Sequence, residues 1–325
     1  MASSGELQRC AFGGFEHAVT FMPPRYSERS DWPLLLYLHG ASTRGDMQRL
    51  ASSHGGFVRH LHPGAALAAL PMVVVAPLCP IGTEWAVPEM CDRLHRFVDA
   101  ALVSFNVAPT ALFVTGNSMG GLGCYMMVVR DKDPERWAGA VPICGGGHPV
   151  FARLAAPVPW WFFHAVPDKV VAVEDTDKLV EALHQAGAAD VRYTRFAEAP
   201  DPDVEVRLPP AQLFTPANPT YKLATWMTDG SIAAAALQHS GLGEALHCFE
   251  LLNYKSFFFL PWAPSLQDYC EGHNAWDEAW ARTPELWEWM EELARKNKAA
   301  AIRAAFAPEP EPEHEPEPEP EPEPA

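Results

Sequence analysis

The 325-residue sequence predicts an α/β protein with a mostly parallel, doubly wound sheet. Three observations support this prediction. Apolar, β-branched runs recur along the chain, amphipathic helical patterns lie between them, and one run leads through a glycine-flanked turn into a helix. Nearly continuous apolar runs are typical of strands buried on both faces of a parallel sheet. The intervening helices supply the crossover connections that parallel strands need.

Six short apolar runs predict strands, at 34–38, 72–76, 111–115, 139–143, 158–163 and 191–196. Four helices are predicted at 90–105, from just after Ser118 to 129, at 174–186 and at 284–306. In the first helix, Met90, Leu94 and Phe97 share one face, whereas Asp92 and Arg93 lie on the other. That spacing follows the 3.6-residue period of a helix and not the two-residue period of a strand.

Residues 1–306 are predicted to form one α/β domain, which is a plausible size for a single hydrophobic core. The alternation fails between about 200 and 272, where several prolines precede an apolar stretch that fits no further β-α unit. We interpret this segment as an insertion that enters at the catalytic edge of the sheet. It is a candidate for a partial lid over the site, and the alternative is a passive loop.

Residues 307–325 are predicted to be a tail in which Glu alternates with Pro, with His314 in one of the proline positions. Proline removes N–H donors and the repeated carboxylates repel one another, so we expect this tail to be disordered and extended. Its glutamates supply eight of the 17 net negative charges, which leaves −9 for the domain. This balance argues against nucleic acid or an anionic membrane surface as a partner.

The seven cysteines are scattered and include no C-x-x-C pair, so we predict neither a disulfide framework nor a zinc site, and no cofactor. The first residues lack the basic start and apolar core of a signal peptide, and no apolar run approaches about 18 residues. We therefore expect a cytoplasmic protein with no membrane span. The sequence leaves the oligomeric state open.

The turn Gly116-Asn117-Ser118-Met119-Gly120 follows a predicted strand and precedes a predicted helix. This G-x-S-x-G pattern in this context is typical of a nucleophile elbow, in which the serine adopts a strained conformation and the glycines avoid clashes with neighbouring backbone. Ser118 is therefore the predicted nucleophile. The alternative is a small-residue turn that only joins strand to helix.

A serine nucleophile needs a base and an acid, which in this arrangement follow it in the order carboxylate, then histidine. Asp168 lies in the loop after the strand at 158–163, where it could orient a histidine. Its competitors, Asp175 and Asp177, fall within a predicted helix. For the base we select His273, in a loop before the C-terminal helix; the other candidates after Asp168 lie inside the insertion and are His239 and His247.

The oxyanion of an acyl-transfer intermediate needs two backbone N–H donors. Met119, directly after the nucleophile, supplies the first. Ala41, which follows Gly40 after the strand at 34–38, is the predicted second donor, with Ser42 as a weaker candidate. We interpret His39 as a structural residue that holds this loop.

Four stretches of the chain resemble the phospholipase/carboxylesterase and dienelactone-hydrolase-like group of α/β-hydrolase fold serine esterases, close to its polyhydroxybutyrate-depolymerase-like and feruloyl-esterase-like members. They are LLLYLHGASTRGD at 34–46, VVVAPLCPIGTEW at 73–85, FVTGNSMGG at 113–121, and the pair 164–173 with HNAWDEAW at 273–280. The resemblance implies an α/β-hydrolase fold with Ser118, Asp168 and His273 as the triad. Ala165 departs from the glycine usual in the group, and the interval from Asp168 to His273 is unusually long.

The predicted activity is cleavage of a small-molecule carboxylic ester through an acyl-enzyme on Ser118. Four apolar residues expected near the site favour an acyl or aryl ester over a strongly charged one: Trp85, Met119, Trp160 and Trp276. Two alternatives stay open. One is a peptidase or thioesterase with the same triad, and the other is a non-catalytic binding protein in which the insertion displaces His273.

Overall fold

The computed structural model describes residues 5–52, 56–199 and 272–305. Its strands are β1 (Leu7–Phe12), β2 (Phe15–Phe21), β3 (Trp32–Leu38), β4 (Val73–Pro77), β5 (Val107–Asn117), β6 (Trp137–Ile143), β7 (Trp160–Ala165) and β8 (Val191–Phe196). Its α-helices are α1 (Met47–Leu50), α2 (Pro88–Ser104), α3 (Met119–Val129), α4 (Ala152–Ala155), α5 (Val173–Gln185), α6 (Trp276–Ala281) and α7 (Pro284–Ala305). Short 3-10 helices occupy several of the connections.

Within the described residues the strands form one eight-stranded sheet in the order β1-β2-β4-β3-β5-β6-β7-β8. Strand β2 runs antiparallel to both β1 and β4, whereas β4, β3, β5, β6, β7 and β8 run parallel to one another. At the centre of the sheet, Leu36 of β3 pairs with Val75 on one side and with Val114 on the other. The prediction of a mostly parallel α/β sheet is therefore confirmed.

Helices cover both faces of the sheet, which explains why the central strands are apolar throughout. Alternate residues of β3 point to opposite faces, so Leu34 and Leu36 join one buried cluster while Leu35 and Tyr37 join the other. The first cluster includes side chains of α2, α3 and α5, and the second includes side chains of α6 and α7. Because both faces are covered, the sheet is doubly wound.

The six predicted strands are all present, with ends that differ by a few residues, and β5 begins four residues earlier than predicted. Strands β1 and β2 were not predicted. β1 lies at the edge of the sheet and its residues are half-buried or exposed, so it lacks the continuous apolar run of the buried strands. The short helices α1, α4 and α6 were also not predicted, because four to six residues show too little periodicity.

None of the helices in the described part of the chain is long and apolar enough to cross a membrane. The predicted insertion at 200–272 lies outside the described residues except for Gly272, and so does the predicted tail at 307–325. The possible lid therefore stays a prediction.

Candidate active site

Ser118 lies in the turn between β5 and α3, at the carboxyl edge of the parallel strands. Its backbone has φ 56° and ψ −121°, a conformation that side chains other than glycine rarely adopt. The turn is tight because Gly116 and Gly120 leave no space: a Cβ atom on Gly116 would lie 2.6 Å from the Leu38 carbonyl oxygen, and one on Gly120 would overlap that same oxygen. Any side chain at these two positions would push the turn away from β3.

The loop after β3 lies directly beside the nucleophile turn. A Cβ atom on Gly40 would be 3.7 Å from the Ser118 Cβ atom and 3.0 Å from the Asn117 amide nitrogen. Ala41 begins the 3-10 helix Ala41–Thr43, and Met119 begins α3. The N–H groups of both residues therefore have no acceptor within their own helices.

His39 is completely buried and holds this loop by hydrogen bonds. Its Nδ1 atom lies 2.8 Å from the Gly40 carbonyl oxygen, and its Nε2 atom accepts a hydrogen bond of 3.0 Å from the Cys79 N–H. The Trp85 indole donates to the His39 carbonyl oxygen at 2.8 Å. Burial lowers the pKa of His39 to about 4, so the ring is neutral near pH 7. With both nitrogens bonded to backbone atoms, His39 has no nitrogen left for proton transfer.

Asp168 lies in the loop after β7, with its side chain fully buried. Its Oδ1 atom accepts the backbone N–H groups of Val170 at 2.8 Å and Val171 at 2.9 Å. Its Oδ2 atom lies 2.7 Å from His273 Nδ1 and 3.1 Å from His164 Nε2. Burial raises the pKa of Asp168, but the hydrogen bonds from His164, His273 and Val171 outweigh burial and lower it to about 2.

His273 connects Asp168 to Ser118. Its Nε2 atom lies 2.9 Å from Ser118 Oγ, while its Nδ1 atom faces the Asp168 carboxylate. A carboxylate only accepts hydrogen bonds, so Nδ1 carries the proton and the unprotonated Nε2 can accept the serine proton. The edge of the Trp276 ring packs near the imidazole, with centroids 5.5 Å apart and planes at 89°. The structure therefore brings together the three residues that the sequence selected.

The segment after His273 is anchored by Asp277 on α6. The Asp277 carboxylate lies 2.7 Å from Arg59 Nη2 and 3.0 Å from His60 Nε2, and it accepts a hydrogen bond of 3.1 Å from the Asn274 amide. Burial raises the pKa of Asp277, but the His60 hydrogen bond and the Arg59 charge lower it overall. These contacts join the His273 segment to the 3-10 helix Phe57–Leu61, on a different connection of the sheet.

A second anchor lies deeper in the core. Trp280 of α6 is completely buried, and its indole N–H donates to the Thr115 hydroxyl of β5 at 3.0 Å. The Thr115 hydroxyl in turn donates to the Val141 carbonyl oxygen of β6 at 2.9 Å. The helix that follows His273 is therefore tied to the same strand that ends at the nucleophile turn.

Cys144, which follows β6, lies close to Asp168 and His273, and sequence reasoning gave it no role. Within the described residues, Cys144, Asp168 and His273 are a group of three potential metal ligands whose donor atoms lie within 4.8 Å of one another. However, both Asp168 oxygens already accept N–H groups, and burial raises the pKa of the Cys144 thiol well above its usual value. A protonated thiol and an occupied carboxylate are poor metal ligands, and hydrogen bonds already account for the positions of Asp168 and His273.

Other candidates from the sequence lie elsewhere. Asp175 and Asp177 are on α5, and Asp177 accepts a hydrogen bond of 2.8 Å from the Tyr193 hydroxyl. His239 and His247 lie outside the described residues.

The expectation that Trp160 lies near the site is wrong: it begins β7, at the end opposite to Asp168, and it is fully buried. Trp85 is also fully buried, beneath the loop after β3, and offers no surface to a substrate.

Two residues of the site were missed. His164 directly follows the predicted strand at 158–163, and its contact with Asp168 appears only when the end of β7 meets the following loop. Gly272 has φ 79° and packs on Pro167, and a glycine directly before the selected histidine was the available signal.

Comparison with protein-family models gives no match, and comparison with curated proteins gives none either. Among solved structures, the chain is similar to a thermostable esterase, at 29% identity over 59% of this chain and 54% of that one, with a TM-score of 0.48. The similarity therefore spans about half the length of that esterase. An acetyl xylan esterase from Aspergillus awamori is 14% identical over 55% of this chain and 80% of that one, with a TM-score of 0.42. An acylaminoacyl peptidase from Pyrococcus horikoshii is 12% identical over 59% of this chain and 36% of that one, with a TM-score of 0.43.

Proposed function

Because the chain has the α/β-hydrolase fold, we propose that it is a serine hydrolase that cleaves carboxylic esters through an acyl-enzyme on Ser118. One observation carries the proposal. His273 bonds at one nitrogen to Ser118, at 2.9 Å, and at the other to Asp168, at 2.7 Å. A buried carboxylate that selects the histidine tautomer, with the second nitrogen directed at a strained serine, is the arrangement that acyl transfer needs.

In the proposed mechanism, Ser118 Oγ attacks the ester carbonyl while His273 Nε2 takes the proton of the Ser118 hydroxyl. The negative charge that develops on the carbonyl oxygen is stabilised by the N–H groups of Ala41 and Met119. The imidazolium then protonates the leaving alcohol, with Asp168 stabilising the positive charge. Water attacks the acyl-enzyme by the same route and releases the acid. Every proton transfer in this scheme passes through His273.

The triad is equally compatible with peptides and thioesters, so the choice of an ester rests on other grounds. The sequence motifs resemble those of an esterase group. An alcohol also leaves more readily than an amine, so an ester makes the smaller demand on His273 as a general acid. A non-catalytic binding role is less well supported, because His273 contacts both Ser118 and Asp168 instead of being displaced from them.

Ser118→Ala tests the proposal when it is compared with the wild type on nitrophenyl esters, acyl thioesters and peptide anilides. We expect the esters to be cleaved fastest, and we expect Ser118→Ala to lower kcat by about a million-fold with an unchanged melting temperature. A fluorophosphonate probe should label the wild type and not the variant. Ser104→Ala, on an exposed position of α2, is the matched control and should retain both activity and labelling.

The outcomes separate the alternatives. If Ser118→Ala keeps most of the activity, the serine mechanism is wrong. If the folded wild type cleaves nothing and takes up no probe, the binding role is favoured. Preferential cleavage of anilides or thioesters would replace the ester by one of those substrates while leaving the mechanism in place.

A further inference from the structure

His164 is a second histidine at the Asp168 carboxylate. It is the penultimate residue of β7, and its side chain is completely buried. Its Nε2 atom lies 3.1 Å from Asp168 Oδ2 and 3.0 Å from the Val171 carbonyl oxygen. Its Nδ1 atom lies 2.8 Å from the Thr176 hydroxyl, on the first turn of α5. Both ring nitrogens are therefore bonded to groups that surround the carboxylate.

The partners of His164 determine where its proton lies. A carboxylate and a carbonyl oxygen only accept hydrogen bonds, so Nε2 carries the proton and donates it to Asp168 and Val171. In the neutral ring, Nδ1 is then an acceptor, and the Thr176 hydroxyl donates to it. Thr176 thus selects the tautomer of His164 in the same way that Asp168 selects the tautomer of His273.

This arrangement leaves Asp168 no freedom to rotate. Its Oδ1 atom accepts two backbone N–H groups, and its Oδ2 atom accepts one imidazole N–H from His164 and another from His273. The two imidazoles therefore share one carboxylate oxygen. An oxygen that already accepts one strong hydrogen bond carries less charge for a second donor, so His164 weakens the hold of Asp168 on a protonated His273.

We propose that His164 is a positioning residue for the triad, which directs Asp168 Oδ2 at His273 and moderates its ability to stabilise the imidazolium. The proposal rests on the proposed function. Removing the His164 donor should have two effects. The carboxylate keeps its bond to His273 but is held less rigidly, which lowers kcat, and the charge that His164 no longer shares holds the proton on His273 more strongly, which moves the acid limb of the kcat/KM profile to higher pH.

The other titratable groups near His273 should not move the acid limb of the kcat/KM profile in these variants. The groups on the surrounding elements include Cys144 after β6, Asp168 and His164 on the β7 side, and Asp277 on α6, which is paired with Arg59 and His60. Burial raises the pKa of the Cys144 thiol, so it stays protonated through the acid limb. None of the Asp277 contacts described above involves residue 164.

The experiment compares three variants by full pH profiles of kcat and KM. His164→Phe keeps a ring but removes both nitrogens, and we expect kcat to fall by about tenfold to a hundredfold with an unchanged KM. We expect its acid limb to move up by about half a pH unit or more. His164→Gln places an amide N–H near the Nε2 position and should restore most of kcat and the wild-type limb. Thr176→Val removes only the hydroxyl and should move the limb in the same direction by less.

A purely structural role for His164 predicts a lower melting temperature with no movement of the acid limb, and that result in folded His164→Phe would overturn the proposal. If His164→Phe does not fold, Thr176→Val decides: a wild-type limb in that variant overturns the proposal equally. Ser118→Ala is measured alongside. Activity in Ser118→Ala means that the proposed function has failed and the inference with it, whereas an inactive Ser118→Ala with wild-type profiles at 164 and 176 means that only the inference has failed.

Discussion

The backbone of Gly272 packs on Pro167 so closely that a Cβ atom on Gly272 would overlap the Pro167 carbonyl oxygen. In the sequence, His273 directly follows Gly272, and Asp168 directly follows Pro167. The contact between the two backbones therefore sets the separation of the proposed base and its carboxylate. Gly272 also has φ 79°, a conformation that is strained for any L side chain.

Gly272→Ala should therefore displace His273 from Asp168. We expect kcat to fall by about a hundredfold, because a displacement of about 1 Å is enough for such a loss. Gly187→Ala is the matched control, since Gly187 has φ 83° but nothing lies within 4 Å of its Cβ position. It should lose about 1 kcal/mol of stability from the backbone conformation and keep its activity. Equal kcat values in the two variants would show that the Pro167 contact does not position the base.

Asp277→Ala should destabilise the segment that carries His273. The change leaves Arg59 without its carboxylate at a site where both side chains are largely buried, and we expect a loss of about 3 kcal/mol in the free energy of unfolding. Glu278→Ala, next to it on the same helix, removes an ion pair with Arg282 in which the arginine is mostly exposed, and should cost less than about 1 kcal/mol. Urea denaturation measures both, and equal losses would contradict the anchoring role.

The stability of the protein should depend on Asp168 between about pH 4 and pH 2. The folded pKa of about 2 lies below the usual 3.8, so the carboxylate stabilises the fold above pH 4, and this contribution is lost as the pH falls through the folded value. The shift corresponds to about 2 kcal/mol. Asp168→Asn cannot titrate at this position. The difference in unfolding free energy between the wild type and this variant should therefore narrow by about this amount between pH 5 and pH 2. Parallel curves would argue against a lowered pKa.

Because of His39, the protein should lose stability as the pH falls from about 6.5 to about 4. Its folded pKa of about 4 lies below the usual 6.5, so the unfolded chain binds the proton first as the pH falls. The contribution of neutral His39 to the free energy of unfolding is fully present above pH 6.5 and is lost as the pH falls toward 4. It amounts to about 3 kcal/mol. His39→Asn retains a donor and an acceptor but does not titrate, so its stability should depend less steeply on pH. At pH 8 this variant should be less stable than the wild type. Denaturation at a series of pH values checks this, and an identical slope would contradict it.

The sequence predicts features of this fold where the determining pattern is local. The buried strands could be found because both of their faces are apolar, and Ser118 could be found because Gly116 and Gly120 must lie within a single turn. The edge strand β1 could not, since its residues are half-buried or exposed and it lacks a continuous apolar run. Trp160 was misplaced because it begins β7, whereas Asp168 and the site lie beyond the other end of that strand.

The contacts of the site are long-range, and this limits what a sequence can reveal. His273 and Asp168 are 105 positions apart, and the choice among the histidines depended on a loop and a resemblance. The role of His164 was not predictable, because its donor reaches Asp168 only after the chain turns back between Ala165 and Val171. A histidine in an apolar strand carries no pattern that separates such a contact from ordinary burial.

The ties of the His273 segment to the sheet all span long stretches of chain: 155 positions to Ser118, and 165 from Trp280 to Thr115. Contacts of this kind form late in folding, because loop-closure entropy opposes them until most of the structure is in place. Helices α6 and α7 also pack on one face of the sheet, so this terminal unit can open while the central strands stay paired. Turnover should therefore disappear at lower urea concentrations than the circular dichroism of the sheet and return last on refolding, which makes it the more sensitive gauge of partial unfolding.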